Sequence, residues 1–136
     1  MSRVALAVAA SVRLRAGGRF EYCHLRTEWT ILPFQTDHII AQKHDGPSDE
    51  ANLAFACLRC NGRKGPNVAG VDPVTGEITP LYHPRRDQWA DHFEWRGGWL
   101  LGRSAVGRTT IHVLGINDVE IVQVRESMMA EGRDFR

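Results

Sequence analysis

The sequence predicts an α+β fold in a single domain, residues 1–136. Three observations carry that reading: helical patterns near both ends, short strand-like runs between strong turn signals in the middle, and a length of 136 residues, enough for one modest core. Hydrophobic residues make up 43% and charged residues 24%, the balance of a folded soluble chain and not of a disordered one.

Residues 4–16 read as a helix that stops at Gly17-Gly18, because paired glycines are a poor helix interior and a good exit. The apolar run Val4 to Val12 sits between basic residues in the manner of a signal peptide. It is too short to span a membrane and no small-x-small cleavage site follows, so an amphipathic or buried first helix is expected. Phe20 to His24 forms a turn or knuckle, and Thr30 to Asp37 a short strand ending at the Asp37-His38 pair. Asp45-Gly46-Pro47-Ser48 is a loop. Asn52 to Ala56 is expected to begin a helical or turn segment, and Cys60 to Lys64 to belong to a helix with Asn61 and Lys64 on one face.

Beyond Gly70, Asp72 to Gly76 is a turn, Glu77 to Leu81 a strand and Asp87 to Phe93 a short helix. Glu94-Trp95 and Trp99 to Gly102 flank Arg96-Gly97-Gly98 as a hairpin. Ser104 caps a helix over 105–114, and Asn117 caps a last helix with Val119, Val122 and Met129 as its apolar stripe.

The net charge of +1 excludes little, since a near-neutral chain can still gather positive charge on one face. Here Arg59, Arg63 and Lys64 cluster, and Arg85 and Arg86 follow. Three cysteines, two of them spaced as Cys57-x-x-Cys60, argue against a secreted disulfide framework and for metal ligation in a reducing, cytoplasmic setting.

The chemistry concentrates between Asp37 and Gly65. Asp37-His38 places a carboxylate beside an imidazole. Asn52 follows, and Cys57-Leu58-Arg59-Cys60 runs into Asn61-Gly62-Arg63-Lys64-Gly65. A general base, two oxygen ligands and half of a zinc site are what metal-dependent cleavage of a phosphodiester requires. In that reading Asp37 and Asn61 hold the cation, and two oxygen ligands suit Mg²⁺, with Mn²⁺ as substitute, better than Zn²⁺. His38 takes a proton from the attacking water. Lys64 stabilises charge on the phosphate or leaving oxygen. Arg59 and Arg63 hold the nucleic-acid backbone, as do Arg85 and Arg86 further on. Asn52 caps the loop that aims His38.

Asp37-His38-Ile39-Ile40, Asn52-Leu53 and Cys57-x-x-Cys60-Asn61-x-x-Lys64-Gly65 resemble the HNH endonucleases. Similarity extends back to Arg15 to Cys23 and forward through His83-Pro84-Arg85-Arg86-Asp87 to Trp95, covering about residues 13–115, with the core motif in 20–65 and residues 70–136 as a C-terminal extension. The resemblance implies a ββα-metal core (the His-Me finger) with peripheral helices and a C-terminal hairpin and helices. It further implies DNA as substrate, with RNA as the alternative, one divalent cation, His38 as base, Asp37 and Asn61 as ligands and Asn52 as the structural middle residue. No membrane partner is implied. A related alternative is a catalytically inactive nucleic-acid-binding or zinc-dependent interaction module of the same fold.

Two departures matter. Asn61 stands where the family name places its last His, a variant the family tolerates. Phe20 stands where the first cysteine of a four-thiolate structural zinc site would be, leaving Cys23, Cys57 and Cys60. Three outcomes stay open on sequence grounds: His24 as fourth ligand, water as fourth ligand, or no zinc with Phe20 packed in the core.

Overall fold

A computed structural model describes residues 4–29 and 33–136, so Thr30 to Leu32 of the expected first strand lie outside the described residues. Helix α1, Leu6–Ala16, ends as expected: Gly17 takes the left-handed conformation at φ 66° and its N–H returns to the Leu14 carbonyl. Val12 is its buried anchor, and Val4, Val8 and Ala16, at four-residue spacing, pack against the same core while Leu6 and Leu14 face outward.

The centre of the molecule is an antiparallel pair followed directly by a helix. Strand β1, Phe34–His38, pairs with β2, Leu53–Cys57, in a register that sets Asp37 opposite Ala54 and His38 opposite Leu53. Helix α2, Leu58–Lys64, starts at once, with the Cys57 sulfur accepting from the Cys60 N–H as its cap, and lies on both strands. Helix α1 covers β2 from another side.

Strand β2 corrects the helical or turn reading of Asn52 to Ala56. Leu53, Ala54, Phe55 and Ala56 are all buried, so no polar face alternates with the apolar one. A short continuous apolar run does not distinguish a doubly buried strand from a helix, and pairing with β1 decides it.

A second hairpin joins β3, Ala69–Val71, to β4, Ile78–Pro80, around the Asp72 turn. There the buried Asp72 carboxylate accepts from the Val74 N–H, Thr75 and Arg108, and the Arg108 hydrogen bonds hold it well below the usual carboxylate range. A short helix α3, Trp89–His92, leads into β5, Phe93–Arg96, and β6, Trp99–Gly102, joined through Gly97 at φ 58° as the Gly-Gly turn requires.

Helix α4, Ala105–Leu114, begins where Ser104 Oγ accepts from the Gly107 N–H at 3.0 Å. It packs against α2, β3, β4 and β6. Helix α5, Val119–Ala130, departs from expectation in two ways. Asn117 is not its cap: the carboxamide instead clamps Leu100, accepting from its N–H at 2.9 Å and donating to its carbonyl at 2.7 Å. The buried stripe is Val122, Arg125 and Met128, with Val119 and Met129 exposed. Trp89 and Trp95 pack against the core, and Trp99 is half-exposed. The chain then returns to the knuckle, where Arg26 N–H donates to Phe135 O and Trp29 Nε1 to Asp134 O. No helix among the described residues is long and apolar enough to cross a membrane.

Candidate metal and nuclease centre

Asp37 and His38 end β1, and strand alternation sends their side chains to different surroundings. Asp37 turns inward and is 5% exposed. Tyr22 Oη donates to its Oδ2 at 2.7 Å, and Lys64 Nζ lies 3.2 Å from Oδ2 and 3.4 Å from Oδ1. Burial raises the carboxyl above its ordinary value, and the Lys64 charge and the Tyr22 hydrogen bond oppose that rise. Tyr22 is itself pushed up, by burial first and by the neighbouring Asp37 second.

His38 is half-buried, with Nε2 2.8 Å from Ser48 Oγ. The intervening loop is held by Asn52, which is buried and accepts from Ile40 N–H at 2.9 Å while donating to Ile40 O and Pro47 O at 2.9 and 2.8 Å. Gly46 closes the loop against Ile40. A Cβ at that position would collide with the Ile40 carbonyl oxygen, so only glycine permits the approach.

Lys64 is placed differently from the reading that aimed it at a phosphate. Its side chain is 1% exposed and its ammonium donates to His38 O at 3.0 Å as well as meeting Asp37. It ties α2 to the end of β1 and acts here as a positioning residue. Asn61, half-buried, lies one helical turn earlier on the same face of α2. The Asp37 and Asn61 donors are both oxygen, which suits a hard divalent cation, and the long 3.4 Å contact leaves Asp37 Oδ1 with acceptor capacity.

The arginines read as phosphate contacts are mostly engaged within the fold. Arg59 and Arg63 share Asp118, the latter at 2.7 Å, and Arg85 pairs with Glu21. Arg86 is exposed, and Arg63 retains about half its side-chain exposure, 48%.

Cys23, Cys57 and Cys60 converge, their sulfurs all within 4.8 Å of one another. A single zinc ion with bonds of about 2.3 Å draws sulfurs to roughly 3.8 Å, so the triad fits one ion after small side-chain adjustment. Hydrogen bonds from Cys23 and Cys60 hold the Cys57 thiol low, and the same contacts with burial push Cys60 and Cys23 up. His24 is not part of the group. Its ring stacks on Trp89 at 4.1 Å, and burial followed by the Arg19 charge lowers it to about 4. Phe20 is buried and stacks on Phe55 with ring centres 5.2 Å apart.

Against this geometry, residues 21–67 match the family model described as HNH endonuclease. That segment of the chain is similar to the HNH endonuclease family. The ββα order of β1, β2 and α2 falls inside the matched segment, as do Asp37, His38, Asn52, Asn61 and Lys64. The match points to a nuclease or nucleic-acid-related role, and the HNH family generally uses a divalent metal. The chain is also similar to Septu protein PtuB of Bacillus thuringiensis, 26% identical over 102 residues, which is 73% of this chain and 37% of that protein. It therefore spans well under half the length of that relative. No solved structure matches the chain.

Sequence reasoning missed Ser48, Tyr22 and Arg125. Ser48 was read only as part of a loop, and nothing in its local pattern marks it as a partner of His38. Tyr22 lies inside the knuckle, where the missing first cysteine draws attention away from its phenol.

Proposed function

We propose that this chain hydrolyses phosphodiester bonds in DNA with His38 as general base, assisted by Mg²⁺ or Mn²⁺. The observation that carries the reading is the constrained His38: its ring meets Ser48 Oγ at 2.8 Å while Asn52 holds the loop between them. With Nε2–H donated to Ser48, the tautomer leaves Nδ1 unprotonated and able to take a proton from water. A cation bound by Asp37 and Asn61 supplies stabilisation of the charge developing on phosphate and leaving oxygens. Lys64 fixes the Asp37 carboxylate and, through the His38 carbonyl, the strand end that bears the base. Exposed Arg86 and the free part of Arg63 supply phosphate contacts, so binding weakens as salt rises.

One observation favours the second reading, a nucleic-acid-binding module without cleavage: the Asp37 carboxylate is already shared with an ammonium and a phenol. Plasmid nicking separates the two. Wild type with Mg²⁺ or Mn²⁺ is expected to convert supercoiled DNA to open-circular or linear forms, and His38→Ala to lose at least about a hundredfold of that activity. If wild type and His38→Ala leave the plasmid equally supercoiled while both retain DNA, the binding-module reading stands. Structured and single-stranded RNA in the same assay decide between the nucleic acids.

A further inference from the structure

Arg125 is the least expected residue of the core. It occupies the middle of the buried stripe of α5, three residues after Val122 and three before Met128, and is 2% exposed. A guanidinium in that position carries a large desolvation cost unless opposite charge and hydrogen-bond acceptors surround it. Only part of that requirement is met by neutral groups. Nη2 donates to Ile116 O at 2.6 Å and the Trp95 ring centre lies 5.2 Å from Cζ, while Nε and Nη1 have no hydrogen-bond partner.

Burial disfavours the Arg125 cation, and Cys23, Cys60 and Glu126 offset that penalty. Arg125 and Cys57 line one pocket of about 220 Å³ together with Phe20 and Arg59. Arg59 and Arg26, the other guanidiniums on the pocket wall, are already paired, Arg59 with Asp118 and Arg26 with Glu28 and Asp134.

Charge counting then links Phe20 to Arg125. Four thiolates around Zn²⁺ carry a net charge of about −2, and three carry about −1. With Phe20 in place of a fourth sulfur, one buried guanidinium balances the site, and its unused N–H donors match sulfur acceptors. We propose that Arg125 is the counter-ion of a three-thiolate zinc site formed by Cys23, Cys57 and Cys60, and that it sets the affinity of that site for the metal.

The test is metal binding by the full purified chain, read by Co²⁺–thiolate absorbance and displacement by Zn²⁺, with circular dichroism recorded on every variant. Wild type takes up one ion per chain. Arg125→Met weakens binding by about tenfold to a hundredfold, the range typical of groups that support metal ligands. Arg125→Lys binds more tightly than Arg125→Met, and Arg59→Met binds as wild type does.

A wild-type chain that takes up no Co²⁺ or Zn²⁺ overturns the proposal. So does a folded Arg125→Met with unchanged affinity, or an equal loss in Arg59→Met. Should Arg125→Met not fold, Arg125→Gln, which keeps a donor for Ile116 O, carries the same expectation and the same refutation. Because no step depends on cleavage, an inactive nuclease with Arg125-dependent zinc binding sinks the catalytic reading alone.

Discussion

Replacing Lys64 by Met removes one partner of an ion pair whose members are 1% and 5% exposed. Met has a similar length and volume, so the cavity contribution is small and the electrostatic one dominates. The Asp37 carboxylate keeps a single donor, Tyr22 Oη at 2.7 Å, and His38 O loses its 3.0 Å contact with the ammonium. Leaving a buried charge without its partner costs about 3–5 kcal/mol, which in a chain of this size lowers Tm by roughly 10–20 °C.

The pH dependence gives the effect a signature. Asp37 has its folded pKa raised above the ordinary carboxylate value by burial, so its contribution to stability is fully present below that ordinary value and is lost as pH rises through the folded pKa. Removing Lys64 takes away the largest opposing charge and moves the folded pKa higher still. Lys64→Met is therefore expected to lose most stability at neutral and alkaline pH and to recover part of it as the pH falls through the raised pKa of the carboxyl. The Asp37→Asn, Lys64→Met double variant, with no charge left to bury, is expected to be more stable than Lys64→Met at pH 7. Urea unfolding followed by circular dichroism at several pH values measures all of this. A loss below about 1 kcal/mol, equal at acid and neutral pH, would refute the positioning role and return Lys64 to the solvent-facing one.

Three further predictions follow from the same site. Asn52→Ala strands Ile40 N–H, Ile40 O and Pro47 O, and is expected to cost about 2–4 kcal/mol in urea unfolding, with nicking activity falling alongside. Ser48→Ala keeps the fold but frees the His38 ring, lowering kcat about tenfold to a hundredfold with KM little changed; unchanged kcat would remove Ser48 from the tautomer argument. Phe20→Cys, without metal, loses the stack on Phe55 and about 2–4 kcal/mol of stability, and excess Zn²⁺ is expected to restore the Tm beyond wild type by adding a fourth thiolate. A zinc-independent Tm in that variant would show that position 20 does not face the sulfur triad.

Local signals carried much of the architecture. The Gly17-Gly18 stop, the Gly97-Gly98 hairpin and the Ser104 cap each depend on residues within a few positions of one another, and each forms as its chemistry requires. Strand β2 escaped because its apolar run is buried on both faces, which erases periodicity. Asn117 escaped because a carboxamide that suits a helix cap suits equally well a clamp on a strand backbone, and only the approach of Leu100 selects the second. Arg59 and Arg85 look like solvent-facing cations in sequence, yet Asp118 and Glu21 claim them across the fold.

The HNH-type order of chemical groups is written in one short segment: a carboxylate beside an imidazole, a middle amide, and thiols running into an amide and a lysine. Those roles follow from side-chain chemistry and spacing along one short segment. How the groups are placed depends on contacts between segments far apart in the chain. Lys64 faces Asp37 from 27 residues away, Ser48 meets His38 from 10 residues away, and Arg125 on the last helix lines one pocket with Cys57. Burial and pairing belong to the set of neighbours in space, and the cost of an unpaired buried charge is what turns an expected phosphate-facing lysine into a strut and an expected apolar stripe into a counter-ion site.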